Sequence, residues 1–173
     1  MNPVYIILIV ITVLFLIYLF FDITYSKLKG YVSKINLVED KINVILNNKY
    51  ENIIKIDSII KDKIGTEKEI IDDISTIKDN KSKSELDLIL NDSLSKIEYI
   101  RNQYDELDNE EELNCLFNNI SKDEESLNAY KKYYNDNVND YNRLVSMFPY
   151  LITAKLLKYK IKEFFDDTKI EEE

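Results

Sequence analysis

The sequence predicts an all-α protein, an N-terminal transmembrane helix followed by an elongated antiparallel four-helix bundle. Three observations predict it. An uncharged apolar run opens the chain, apolar residues then recur in steps of three and four, and 173 residues include only two Gly and two Pro. So little turn-forming material implies few connections and long elements. The expected organisation is an anchor over 1–22, a helical domain over 23–167 and an acidic tail over 168–173.

The opening run, Val4 to Phe21, is 18 residues without a charge. As a helix it spans roughly 27 Å, against about 30 Å for a bilayer's hydrocarbon core. A secretory signal peptide would need a basic start, a shorter apolar core and a small-residue cleavage site. Met1-Asn2-Pro3 is uncharged and FFDITYSKLK (20–29) offers no such site. The run is apolar on every face, which a bundle helix with one buried stripe does not need. A retained single-pass anchor in the cell membrane is expected. Lys27, Lys29 and Lys34 follow the run and no basic residue precedes it. The positive-inside rule then places the N-terminus outside and the helical domain in the cytoplasm, with Tyr5, Tyr18 and Tyr25 suited to the interfacial belts.

Beyond the anchor, Leu28, Val32, Ile35, Val38, Ile42, Ile45, Tyr50, Ile53, Ile56, Ile60 and Ile64 mark the buried stripe of a long first helix of about 40 residues. Gly65 and the T-x-x-E box at Thr66–Glu69 signal a stop and a new start. A short second helix is expected over Glu67–Lys78, with Ile70, Ile71, Ile74 and Ile77 on one face, and a loop at KDNKSKS (78–84). Ser84 can cap a third helix whose stripe is Leu86, Ile89, Leu90, Leu94, Ile97, Ile100, Tyr104 and Leu107. The acidic run DELDNEEE (105–112) reads as a junction or a solvated face; an EF-hand loop would require a Gly it lacks. The fourth stripe comprises Leu113, Phe117, Ile120, Leu127, Tyr130, Tyr134, Val138, Tyr141, Leu144, Val145 and Phe148, until Pro149 interrupts it. LITAKLLKYKIKEFF (151–165) then resumes an amphipathic helix with Lys155, Lys158, Lys160 and Lys162 on its polar face. Such a helix packs back onto the bundle or lies on a membrane, and packing is the expectation.

Composition excludes much chemistry. The net charge of −9 disfavours nucleic acid, whose phosphates need a basic stripe. With no His and a single Cys, Cys115, the catalytic triads, His-ligated zinc and an internal disulfide drop out. Gly30 and Gly65 stand alone, so no phosphate-cradling loop can be drawn. No cofactor and no metal site is expected. Carboxylates, lysines and tyrosines are what remain, with Lys131, Tyr134 and Tyr141 as the candidates for catalysis.

The most distinctive stretch is YYNDNVNDYN (133–142), with Tyr134-Asn135 and Tyr141-Asn142 seven residues apart around Val138. Spacings of four and three put Tyr134, Val138 and Tyr141 on one helical face. Buried phenols need partners, and Asn135 and Asn142 at the edge of that seam can supply them or fix register. Together with Lys131, Phe148-Pro149, Ala154 and Phe164-Phe165, this pattern resembles the C-terminal half of the LemA family. That hallmark is a basic residue, YN-x-x-V-x-x-YN, a hydrophobic pair, Phe-Pro and a phenylalanine-rich helix. Lys131 stands where the family usually has arginine, and NNKYENIIKI (47–56), with Lys49, replaces a family stretch of arginine and Leu-Ile-Pro-Asn-Leu.

The resemblance implies a small bacterial membrane protein with a cytoplasmic four-helix bundle, and it implies no activity. The expected role is non-enzymatic: a scaffold or adaptor binding other proteins at the cytoplasmic face. A second copy of the chain is a further candidate partner, since exposed heptad faces can self-pair as a coiled coil. A signal-relay or small-ligand sensing bundle is the alternative.

Overall fold

The computed structural model of the protein describes residues 3–65 and 82–165, and within them every regular element is helical. Helix α1 is Pro3–Ile64, α2 is Lys83–Arg101, α3 is Glu111–Ser146 and α4 is Tyr150–Leu156, with a 3-10 turn at Asp105–Leu107 between α2 and α3. The apolar run and the first stripe are thus one continuous helix of 62 residues. Gly65 ends it at φ 68°, in the left-handed region that glycine enters without steric cost, and its N–H donates to Lys61 O at 2.9 Å. The expected second helix, the first part of the 78–84 loop and the acidic tail lie outside the described residues.

The chain groups into two compact units. In the first, residues 1–37 join 134–164. Its core packs Leu28 and Ile35 of α1 against Val138, Tyr141, Leu144 and Val145 of α3 and Ala154 of α4. Tyr31, Val32, Tyr134, Tyr150 and Tyr159 pack around that cluster. The most apolar 18-residue window of α1 lies near its N-terminus with none of it buried in protein, and is long and apolar enough to cross a membrane.

In the second unit, residues 38–133 and the chain from Phe165 onward, α1 contributes Val38, Ile42, Leu46, Ile53, Ile56 and Ile60 to the interior. Lys49, not Tyr50, fills the place between Leu46 and Ile53, since it continues their three-and-four spacing. Lys83 pairs with Glu39 and Lys49 with Asp87, so α2 runs in the direction of α1. Lys41 sits over the Tyr130 ring, Lys49 meets Glu124 and Lys63 meets Glu110, so α3 runs against both. Opposed helices joined by short connections are the usual way to bury one stripe per helix. The acidic run forms the junction between α2 and α3, where Arg101 reaches Asp108 at 3.3 Å and Asn114 at 2.8 Å.

Three expectations change. Helix α2 is capped by Ser82, two residues earlier than Ser84: Ser82 Oγ accepts from Glu85 N at 3.3 Å and Glu85 Oε2 accepts from Ser82 N at 2.9 Å. Only Ser82 has a glutamate three residues on to close this reciprocal box. Phe148, expected in the α3 seam, is 73 % exposed because α3 ends two residues before it. The C-terminal helix stops at Leu156 instead of running to Phe165. Lys158 adopts φ 58°, its N–H donates to Lys155 O at 3.3 Å, and Tyr159 N–H donates to Ala154 O at 2.9 Å. These paired bonds form a Schellman ending, with Tyr159 returning to the core beside Ala154.

Two substitutions test these ends by thermal unfolding in detergent, followed by circular dichroism. Ser82→Ala should cost about 1 kcal/mol, while Ser84→Ala costs clearly less. Lys158→Gly should stabilise the chain by about 1 kcal/mol, because glycine removes the left-handed penalty a side chain carries.

Candidate functional site

Two polar constellations are built from the positions that stand out in the sequence. The first, in the second unit, is a cluster of charges inside the bundle. Lys49 has 0 % of its surface exposed, and Asp87 and Lys131 are also buried. Asp87 divides its carboxylate: Oδ1 accepts from Lys49 Nζ at 3.2 Å, and Oδ2 accepts from Lys131 Nζ. Lys49 Nζ also donates to Asn91 Oδ1 at 2.5 Å and Glu124 Oε2 at 2.6 Å. An ammonium has three donors, so Lys49 is saturated. Two lysines and two carboxylates make the cluster electrically neutral, which is what permits charge in a low-dielectric interior. The Phe165 ring covers Lys131 Nζ at 5.2 Å from its centroid, a cation–π contact.

Each helix supplies its share at helical spacing. Asp87 and Asn91 are one turn apart on α2, Glu124 and Lys131 two turns apart on α3, and Lys49 lies on the buried stripe of α1. Removing either partner of a buried pair strands the other charge, so the cluster dictates which faces meet more than it adds net stability.

The second constellation, in the first unit, explains the Tyr-Asn repeat. Past Lys158 the chain is non-helical through residue 165. With no sheet among the described residues, its main chain needs other polar partners. Asn142 supplies two, its Nδ2 donating to Lys162 O and its Oδ1 accepting from Lys162 N, both at 2.8 Å. The side-chain amide thus imitates the edge of a neighbouring strand. Tyr141 Oη donates to Lys160 O at 2.9 Å and Tyr134 Oη to Glu163 O at 3.3 Å. Burial raises the Tyr141 phenol above its ordinary pKa, and the nearby Tyr159 adds to the shift.

A family comparison can now be set beside this geometry. The LemA family model matches residues 39–173, most of the chain. The chain belongs to the LemA family. Searches of curated proteins and of solved structures return no match.

In this LemA-family chain Lys49 and Lys131 both end on Asp87. Tyr134, Tyr141 and Asn142 come together on the main chain of 160–163, and Val138 is buried in the same core. Asn135 is half-buried beside Tyr134. Pro149 separates α3 from α4, as its missing amide proton requires. Sequence reasoning offered the asparagines as partners for phenols or as groups that fix register; Asn142 is instead a partner for main chain. It also missed Asp87, Asn91 and Glu124. The available signal was periodicity: Asp87 falls in step with Leu90, Leu94 and Ile97, and a charge on a buried stripe demands a counter-charge. Asp57 Oδ1 is, among the described residues, a buried side-chain atom with no partner, while Asp57 Oδ2 meets Lys61 at 2.6 Å.

The second unit also has an open cleft of ≈ 340 Å³ lined by Asn48, Glu51, Asn52, Asn119, Lys122 and Asp123. Among the described residues, no group of three or more acidic, Cys or His side chains is arranged to hold a metal ion.

Asp87→Ala should cost about 3–5 kcal/mol by leaving two buried lysines short of an acceptor, and adding Lys131→Met should recover part of the loss. Chemical denaturation of the single and double variants reads this. Tyr141→Phe should cost about 1 kcal/mol near neutral pH. Unfolded tyrosine ionises near 10.0, whereas folded Tyr141 ionises later, so between those points the folded state holds the extra proton. Stability from this residue is therefore complete below pH 10 and declines as pH rises above it. Unfolding midpoints compared at neutral and strongly alkaline pH should show a shallower decline in the Phe variant.

Proposed function

We propose that this LemA-family protein is a membrane-anchored, non-enzymatic scaffold or adaptor that binds other proteins at the cytoplasmic face of the membrane. The observation that carries the reading is the inward engagement of the motif. Lys49 and Lys131 are bound to Asp87, and Tyr134, Tyr141 and Asn142 to main chain. The most distinctive polar groups therefore maintain the fold, and recognition is left to the outer surface. That surface includes exposed Val44, Ile54 and Tyr99 in the second unit. The uncovered apolar start of α1 supports the anchor, and Lys27, Lys29 and Lys34 just after it support an outside N-terminus.

A second reading, a small-ligand sensing bundle, is favoured by the polar cleft around Asn48, Glu51 and Lys122. Its charged and amide groups suit a small polar solute. A screen of such solutes for altered amide exchange at Asn48–Asn52 separates the two readings.

Affinity purification of the full chain from its own cells, in mild detergent after brief cross-linking, tests the leading one. A stoichiometric protein partner, retained by Tyr141→Phe, is the expected outcome. Recovery of the chain alone would sink the scaffold reading.

A further inference from the structure

Helix α4 lies against α1 just past the end of the apolar run. Thr24 Oγ1 and Thr153 Oγ1 are 2.7 Å apart and buried, and Lys27 Nζ sits 5.5 Å from the centre of the Tyr150 ring. Three residues back along α1, from Lys27 to Thr24, match three forward along α4, from Tyr150 to Thr153. The helices are antiparallel here. Both rise about 1.5 Å per residue, so three residues more bring Leu156 level with Phe21, the last residue of the uncharged run. The C-terminal end of α4 therefore points at the boundary between apolar span and polar chain.

That end is apolar and uncovered. Thr153 and Ala154 take the packed face. Ile152 and Leu156, four apart, share the outer face; Leu156 is 66 % exposed and Leu157 46 %. At Lys158 the chain reverses and Tyr159 returns to the core. The reversal is a closed tip, with two leucines outermost and the exposed Lys155 and Lys158 beside them.

We propose that this tip seats in the headgroup region of the membrane that α1 crosses, Leu156 and Leu157 reaching the acyl boundary while Lys155 and Lys158 meet lipid phosphates. The inference rests on the reading of α1 as a transmembrane helix. Lipid is the occupant because of depth. The headgroup layer extends roughly 5–7 Å beyond the hydrocarbon core, and the Thr24–Thr153 bond holds Leu156 level with that core's edge. Charge agrees with this assignment. The chain carries −9 overall, yet the tip and the adjoining part of α1 set Lys155, Lys158, Lys27 and Lys29 against the one carboxylate of Asp22, a local excess of the sign that anionic headgroups attract. A membrane contact at α4 gives α1 a second point of attachment, which fixes its rotation about the bilayer normal.

The test uses the full chain with Cys115→Ser, reconstituted in nanodiscs containing anionic phospholipid. One fluorophore is attached through Leu14→Cys, Leu156→Cys or Tyr99→Cys; all three sites are exposed, so none of these changes removes packing. Spin-labelled lipids and a water-soluble quencher then report each site's surroundings. Quenching by lipid at 14 and at 156, with 156 at least about twofold above 99, is the expected result. Lipid quenching at 14 alone, with 156 open to the aqueous quencher, overturns the tip and leaves the span standing. Shielding of 156 from both quenchers would mean that protein covers it, and overturns the proposal too. No lipid quenching at 14 removes the transmembrane reading and the inference with it.

Discussion

Asp87 has a carboxylate with one oxygen on Lys49 and the other on Lys131, and the arrangement of the second unit depends on that division. A charge in an interior is tolerable only when its partners arrive with it. Lys49 comes from α1, Asp87 from α2 and Lys131 from α3, so the three helices must present those faces to one another. Apolar stripes alone would let a helix slide by a turn at modest cost, because leucine and isoleucine are interchangeable in shape at that resolution of contact. A saturated ammonium does not permit sliding. Asn91 and Glu124 complete the set, so that every donor of Lys49 has an acceptor.

The same rule explains the Tyr-Asn repeat in the first unit. A chain segment that leaves helix must hydrogen-bond to something, and residues 160–163 have no strand beside them in that unit. Asn142 offers an amide with the polarity of a peptide group, and its two bonds to Lys162 reproduce one rung of a ladder. The two tyrosines add a phenol each, reaching from the apolar seam to the edge of the segment. Tyrosine in place of phenylalanine, and asparagine in place of leucine, thus have a specific structural use.

Much of the architecture was legible beforehand. The stripes of α1 and α3, the stop at Gly65 and the break at Pro149 all follow from spacing and from residues with restricted backbones. The errors also have physical causes. Lys158 occupies a left-handed position that glycine usually takes, so nothing in LITAKLLKYKIKEFF announces a stop after Leu156. Ser82 and Ser84 are both plausible caps; the glutamate at Glu85 decides between them only once the turn is built. Phe148 carries an apolar side chain in step with α3 and is nonetheless outside, since hydrophobic residues on a surface are ordinary.

By itself the sequence determined the helical class, the apolar run at the start of α1, the absence of histidine chemistry and the membership signalled by Lys131, Tyr134-Asn135, Tyr141-Asn142 and Phe148-Pro149. These depend on period and composition, which are local properties. Tertiary structure alone decided that Asp87 is the shared acceptor of both lysines and that Asn142 binds main chain. It also decided that the last helix ends early, with Leu156 level with the end of the apolar run. Apart from the helix end itself, which Lys158 and Tyr159 close locally, those outcomes join residues that lie 19 or more positions apart, and pairing at that range is set by which buried polar groups can satisfy one another when the helices pack.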